Sequence, residues 1–365
     1  MAGADKKEKS NKLTWKDFLP IILAFPMALL VKIFIFTTYH VPTASMVPSI
    51  IPGDHILVEK WVFGPRIFIK GKSYRLPGWR SIRRNDILVF NVPKEDSIFQ
   101  HHREINYYNW KQSQAASQSL EVQKDSFQFM PIPGRTPFVK RVIGLPGDTL
   151  LYTSNMIYIN GHPMETGSSS YQHFEITFNH TSDYDHHKDS LYSLGENIQM
   201  IRSQNQLTGI FKSSDLGFLD SIQATIQPRW HLPKFNHIPE DFRWARTLAR
   251  SSQPVRIPYK GWTAPVDSLF LDRYSQIIRR FEGFKGVADL NQLLDREGHE
   301  IEEYTFSKNY YWALGDNRPY SVDSRAWGII PEDHVIGITR RTFWSKIPEK
   351  SFKEGFRWER FWERL

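Results

Sequence analysis

Phe138-Val139-Lys140-Arg141-Val142-Ile143-Gly144-Leu145-Pro146-Gly147-Asp148 reads as a short strand running into a turn. β-Branched and aromatic residues suit the pleated surface of a sheet, and Pro-Gly-Asp marks a chain reversal. The same grammar recurs along the chain. Ile56-Leu57-Val58 follows the turn Pro52-Gly53-Asp54, and Asp86-Ile87-Leu88-Val89-Phe90 and Val335-Ile336-Gly337-Ile338-Thr339 are further short runs of this kind. Met156-Ile157-Tyr158-Ile159 runs into Asn160-Gly161, the dipeptide of a tight hairpin turn. A helical pattern stands at Ser268 to Phe281, with Leu269, Leu271, Ile277 and Ile278 among its apolar positions. Beyond residue 40 the chain is therefore expected to be mainly β.

Two intervals look like insertions. Residues 95 to 135 are polar and rich in Gln and Ser, and residues 165 to 300 are long and mixed. No internal repeat is present. The C-terminal run FKEGFRWERFWERL alternates aromatics with charges. It is expected to form a terminal helix, lying on a membrane or packed on the domain.

At 365 residues, with 24% charged and 14% aromatic residues, the chain can fold into two or three domains and is not a disordered polymer. It has no cysteine, which excludes disulfides, thiolate nucleophiles and cysteine-based zinc sites. The net charge of +8 comes without a helix-turn-helix, zinc-finger or RNA-binding signature, so nucleic acid is not an expected partner. Anionic lipid headgroups are a simpler use for it. His101-His102 and Asp185-His186-His187 each lack a convincing third ligand, and no metal is expected.

Residues 18 to 38, FLPIILAFPMALLVKIFIFTT, form the one long apolar run, with Lys32 its sole charge. As a helix, ~21 residues rising ~1.5 Å each match the apolar thickness of a bilayer. Pro20 falls in the first turn, where its missing N–H costs little, whereas Pro26 should kink the helix. Lys6, Lys7, Lys9, Lys12 and Lys16 precede the run, which puts the N-terminus in the cytoplasm and everything after residue 40 outside. The run is longer than the apolar core of a cleaved secretory signal and no small-x-small site directly follows it. An uncleaved single-pass anchor in the lipid bilayer is the expectation.

Three stretches carry chemistry: PTASMVPSIIPGDHILVEK at 42–60, FVKRVIGLPGDTL at 138–150 and ALGDNRPYSVDSRAWGIIPEDHVIG at 313–337. With RNDILVF at 84–90, they resemble, in order, the sequence boxes of bacterial type I signal peptidase (leader peptidase), a Ser-Lys serine protease family. The matched segments make up about a fifth of the chain. The resemblance implies a mainly β fold: an antiparallel-sheet catalytic core with an inserted non-catalytic domain, preceded by one N-terminal transmembrane helix. Mapped onto this chain, 1–17 is a cytoplasmic tail, 18–39 the anchor, 40–150 and 305–345 the core, 151–304 the insertion and 346–365 a C-terminal tail.

The resemblance also implies roles. Ser45 is the nucleophile and Lys140 the general base. A lysine can serve when burial lowers its pKa toward working pH, and an apolar strand suits such burial. Arg141 could not serve, because guanidinium stays protonated. The Ser45 N–H and the Thr43 hydroxyl are the expected oxyanion donors; many relatives have serine at the latter position. Ser321 matches the serine that orients the base, Asp323 the acid behind it and Arg325 that acid's partner. Gly315, Asp316 and Asn317 match the turn before them. Met46 matches a residue near substrate, though it could equally pack in a core. Pro319 and Tyr320 occupy positions often polar in relatives.

Taken singly, each residue has a plainer use: a capping serine, a solvated lysine, a surface ion pair. Their joint order is what sets those uses aside. The implied activity is endoproteolytic removal of signal peptides from exported preproteins through an acyl-enzyme, with no metal or organic cofactor. The implied location is the bacterial inner (plasma) membrane, catalytic domain on the periplasmic side, with the translocation machinery a further candidate partner. The rival readings are a soluble Ser-Lys self-cleaving repressor, which the apolar run disfavours, and an inactive anchored β-domain that binds exported chains.

Overall fold

Seven antiparallel strands build the central sheet of the computed structural model, which describes residues 15–69, 72–93, 97–99, 127–153, 156–164, 170–222, 224–229 and 243–365. They are β1 (Phe36–His40), β2 (Asp54–Glu59), β3 (Ile87–Asn91), β4 (Pro137–Gly144), β5 (Tyr310–Leu314), β6 (Ile330–Pro331) and β7 (Val335–Ser345). Their order is β1-β2-β7-β3-β4-β5-β6. β3 and β5 are buried at all five positions, because the sheet is covered on both faces. Leu88 and Phe90 of β3 join Tyr311, Ala313 and Val142 in one apolar cluster. Ile87 and Val89 point the other way, toward Val41, Met46, Ile50 and Ile56. Tyr310, Trp312 and Leu314 enter a third and larger cluster with Leu150, Tyr274 and Phe306.

The turns expected at Pro52-Gly53-Asp54 and Pro146-Gly147-Asp148 share one construction, and Arg84-Asn85-Asp86 repeats it. Gly53, Asn85 and Gly147 each have positive φ (93°, 71° and 92°), which glycine and asparagine tolerate best. The following aspartate accepts the N–H three residues back: Ile51 to Asp54 (2.9 Å), Arg83 to Asp86 (2.7 Å) and Leu145 to Asp148 (2.7 Å). Asn160-Gly161 is also a tight turn, with φ of 52° and 80°, joining the strands Ile157–Ile159 and His162–Pro163.

Helix α1 (Trp15–Phe34) is followed directly by β1. The apolar run was expected to stay helical to residue 39. It leaves the helix earlier because 36–40 pair with 55–59 of β2, which takes up the backbone groups that a further helical turn would use. Among the described residues no helix is long and apolar enough to cross a membrane. The expected cytoplasmic tail lies outside the described residues up to residue 14, as do the side chains of 15–22.

The interval 151–304 contains more order than its mixed composition suggests. Ile157–Ile159 and His162–Pro163 complete a four-stranded sheet with Thr149–Tyr152 and Val255–Arg256. A second four-stranded sheet is built from Tyr171–Thr177, Glu196–Ile201, Gln206–Lys212 and Thr225–Arg229. Along Tyr171–Thr177 burial alternates strictly, the period of a sheet with one covered face. That face packs Phe174, Ile176, Leu207 and Phe211 against Tyr184 and Leu191 of helix α2 (Thr181–Leu194). Two more helices, α3 (Arg243–Arg250) and α4 (Ser268–Phe281), lie in this interval. Helix α4 spans the expected range, and Asp267 caps it by accepting the Phe270 N–H at 2.7 Å.

The C-terminal tail is not the single helix expected. Residues Phe352–Gly355 and Trp358–Arg360 form two short turns, and the chain bridges back to Arg341 of β7 through Arg364 and to Lys346, just past β7, through Phe356. Arginine explains the difference. Arg360 donates two hydrogen bonds to the buried Asp54 (3.0 and 2.6 Å) and one to the Ser49 carbonyl, and Arg357 reaches the Pro52 carbonyl. The tail backbone also bonds outward to 340–345 instead of closing helical turns: Arg357 N–H to the Ser345 carbonyl, Thr342 N–H to the Glu363 carbonyl and Leu365 N–H to the Arg340 carbonyl. In the 95–135 interval, Ser97–Phe99 pairs with Phe127–Phe129; His101 and His102 lie outside the described residues.

Candidate active site

The pairing of β4 creates the site. On one side β4 pairs with β3 from Pro137 to Arg141. On the other, β5 pairs only with residues 141–144. Residues 137–140 therefore have an unpaired outer edge among the described residues. Along it lies a cleft of about 280 Å³, walled by Tyr39, Val41, Thr43, Met46, Phe138, Val139, Tyr320 and Val322, with Ser45 and Lys140 in its lining.

Lys140 is 3% exposed, and its Nζ donates to Ser45 Oγ at 2.6 Å. Burial lowers its pKa from the ordinary 10.5 to about 8; Asp323 opposes that fall, Arg325 adds to it, and Asp316 opposes it. The register explains the burial. Lys140 stands opposite Leu88 of β3, a fully buried leucine, so its stem enters an apolar layer and only its tip meets a hydroxyl.

Ser45 sits between β1 and β2 in a loop held at several points. Its carbonyl accepts the Asn317 N–H at 3.1 Å, and the Asn317 amide donates to the Ala44 carbonyl at 3.2 Å. The Ser45 N–H donates to no group among the described residues. Thr43 is exposed beside it, with no hydrogen bond among the described residues. Met46 is buried, packing in the core under the loop and lining the cleft.

The 313–325 stretch closes the site from behind. Asp323 is fully buried. It caps the helical turn Ser324–Trp327 through the Arg325 N–H, pairs with the Arg325 guanidinium (2.8 and 2.9 Å) and accepts the Gly315 N–H at 3.1 Å. Burial alone would raise the Asp323 pKa. The charge and hydrogen bonds of Arg325, with the Gly315 N–H and Lys140, bring it below the ordinary value. Arg325 also donates to the carbonyls of Arg318 and Ser321, so one guanidinium shapes the whole 318–323 turn.

Ser321 Oγ is buried and has no hydrogen-bond partner among the described residues; the ammonium of Lys140 bonds Ser45 instead. Gly315 explains how close these parts lie. A Cβ there would collide with both Ser321 Oγ and the Ser45 carbonyl oxygen, so the turn requires glycine.

Several contributors are invisible as local patterns. Arg141, next to the lysine, forms a bidentate pair with Asp316 (2.8 and 2.7 Å) and reaches Ser49 Oγ at 3.0 Å. It thereby fastens the lysine strand to both the serine loop and the 315–317 turn. Arg360 fastens the other end of that loop. The Gly315-Asp316-Asn317 run was the available signal for the first tie. For the second, nothing short of the fold pairs a C-terminal arginine with Asp54. Asp185, His186 and His187 lie on α2, and among the described residues no group of three or more acidic, His or Cys side chains could hold a metal ion.

The chain matches the family described as signal peptidase, peptidase S26, over residues 15–208 and 279–344. It is similar to signal peptidase I of Buchnera aphidicola subsp. Acyrthosiphon pisum, 24% identical over 345 residues, covering 91% of this chain and 76% of that protein. Signal peptidase I P of Bacillus subtilis subsp. natto is 26% identical over 216 residues, covering 58% of this chain and 87% of the relative. Among solved structures, a signal peptidase I from Enterococcus faecalis V583 aligns over 71% of this chain and 97% of its own, with 15% identity and a TM-score of 0.20.

Proposed function

The chain belongs to the peptidase S26 signal peptidase family, a family of serine endopeptidases, and on that premise we propose that Ser45 and Lys140 cut signal peptides from exported preproteins. The observation that carries the assignment is the 2.6 Å approach of Lys140 Nζ to Ser45 Oγ by a lysine whose pKa burial lowers to about 8. A serine hydroxyl needs a base to become a nucleophile, and a lysine so placed is neutral in a useful fraction near neutral pH.

The steps follow. A preprotein segment lies extended along the unpaired edge of 137–140, adding a strand to the sheet. Neutral Lys140 takes the Ser45 proton as Oγ bonds to the scissile carbonyl carbon. The oxyanion is held by the Ser45 N–H and the Thr43 hydroxyl, neither of which has another partner among the described residues. The C–N bond breaks, and the Lys140 ammonium returns the proton to the leaving amine. Lys140 then deprotonates a water that hydrolyses the ester and releases Ser45. Ser321, with Asp323 and Arg325 behind it, orients the Lys140 amine as it gains the Ser45 proton. No step calls for a metal or organic cofactor.

Membrane anchoring is part of the proposal. The apolar run at 18–38 and the lysines before it support a single pass with the N-terminus in the cytoplasm and the catalytic sheet on the periplasmic face of the inner membrane. The run's exit is tied to the sheet. Lys60 and Trp61 N–H groups donate to the Ile35 carbonyl and Lys60 Nζ donates to the Lys32 carbonyl at 2.7 Å. Ser45 follows β1 closely, so the nucleophile stays near the lipid surface where a membrane-held signal peptide presents its cleavage region. The lipid bilayer and the translocation machinery are the corresponding partners.

A pH–rate profile of full-length protein in detergent, acting on a preprotein, tests the base. kcat/KM should rise about tenfold per pH unit below pH about 8 and level off above it. A flat profile from pH 6 to 8 would exclude lysine as the base.

A further inference from the structure

We propose that Tyr320, braced by Asn197 of the inserted sheet, is a specificity-determining residue that selects a large apolar side chain in the substrate. The inference rests on the assignment of this cleft to a preprotein segment.

Tyr320 ends the short helical turn Arg318–Tyr320, and Ser321 follows it in extended conformation, at φ −112° and ψ 124°. Ser321 turns inward, toward Gly315 and the serine loop. Tyr320 and Val322 turn outward to line the cleft that holds Ser45 and Lys140. They are 54% and 55% exposed, so a tyrosine ring and a branched aliphatic side chain stand side by side facing solvent at the rim of a reactive site. Such a pair gains from being covered, and a chain laid along the 137–140 edge is the occupant placed to cover it.

The ring is held in place. The Asn197 amide donates to the Tyr320 hydroxyl at 3.0 Å. Asn197 has φ of 51° and sits where the strand Glu196–Ile201 shifts register against its neighbour, which aims its side chain out of the sheet. The same sheet meets the active-site turn at a second point, where the Tyr171 N–H donates to the Asp316 carbonyl at 3.0 Å. The insertion thus grips the 316–320 turn from outside, while Asn317 grips the Ser45 loop from inside. A tethered ring presents one face to the passing chain. An untethered one could swing and accept many shapes. Asn197 acts through Tyr320 and is a positioning residue.

The test uses the full-length protein and peptides in which each residue within four of the cut is changed in turn to Ser, Leu or Phe. The readout is the ratio of kcat/KM values for the apolar and Ser peptides. The wild type should favour Leu or Phe at one of these positions by roughly five- to twentyfold, and Tyr320→Ala should bring that ratio close to one. Tyr320→Phe keeps the ring and Asn197→Gly keeps the positive φ; both lose the tether and should share an intermediate ratio, carried in KM. Asn197→Asp, which can accept from the tyrosine hydroxyl, should restore the wild-type ratio. A wild type without apolar preference at any position, or a preference that survives Tyr320→Ala, overturns the proposal. A wild type that cleaves none of the peptides and no preprotein overturns the underlying assignment instead.

Discussion

Arg135 and Lys140 lie five residues apart on one strand and its approach, yet the buried polar clusters they belong to are completed in opposite ways. Around Arg135 the groups are matched. Its guanidinium lies 3.1 Å from His334 Nε2, His334 Nδ1 lies 3.0 Å from Asp333, and Lys308 donates to the same carboxylate at 2.6 Å. Arg66 bonds the Asp333 carbonyl and Asn91, and Asn91 bonds the Arg135 carbonyl. Burial brings the His334 pKa down to about 4, against the pull of Asp333, so the ring is neutral and donates from Nδ1 to the carboxylate while accepting from arginine. Around Lys140 the groups are left short. Among the described residues the amine has a hydroxyl for a partner, Ser321 Oγ has none, and no carboxylate pairs directly with the lysine. A matched cluster holds shape, whereas an unmatched one keeps a proton mobile.

Four substitutions press on this contrast. The largest effect belongs to Lys140→Ala, which should lower preprotein cleavage by at least about a thousandfold with the thermal transition preserved. Near-normal kcat/KM would mean the cluster is not the catalytic one. Next, Asp333→Ala should leave the buried His334 Nδ1–H without its acceptor and take one of two partners from the part-exposed Lys308, at a cost of roughly 1–3 kcal/mol of stability, read by denaturant unfolding. A cost below 1 kcal/mol would show that the matched cluster is not structural. Thr43→Val keeps the shape and removes the hydroxyl, and should lower kcat by about 10²–10³-fold with little change in KM. A rise in KM with kcat unchanged would move Thr43 from the oxyanion to ground-state binding.

The smallest effect has the opposite sign. Because the folded-state pKa of Lys140 is about 8 against the ordinary 10.5, the folded protein binds fewer protons than the unfolded one between those values. Lys140 therefore costs stability on the order of 3 kcal/mol at pH 7, and the cost fades as pH rises from about 8 to 10.5. Lys140→Met should stabilise the protein at pH 7 by up to that amount, and less at pH 10. No gain at pH 7 would mean the buried amine is better solvated than its surroundings imply.

Much of this was legible in residue order. β2, β3, β4 and β7 fall where short β-branched runs meet Gly, Asn or Asp, because alternation and turn chemistry are local properties. Helix α4 shows itself by period and by an Asp cap for the same reason. The apolar run misled at its end: Phe36–His40 read as the close of the helix, but β2 offers them a ladder, and the Phe-Thr-Thr-Tyr run is the local strand signal for it. The sheet around Tyr171–Thr177 hid because its alternation is carried by residues such as Gln172, His173 and Glu175, which composition reads as surface. The tail hid because its arginines are defined by what they reach.

Sequence alone determined that the chain has no thiol chemistry, which runs become strands and turns, and which serine and lysine to compare. The tertiary structure decided that Ser45 and Lys140, 95 residues apart, meet, that burial lowers the lysine's pKa to about 8, and that Asn197 of a distant strand hydrogen-bonds Tyr320 at the cleft. The physical reason is that backbone preference acts over a few neighbouring residues. Desolvation, charge pairing and cleft shape arise only when distant faces of the sheet are brought together.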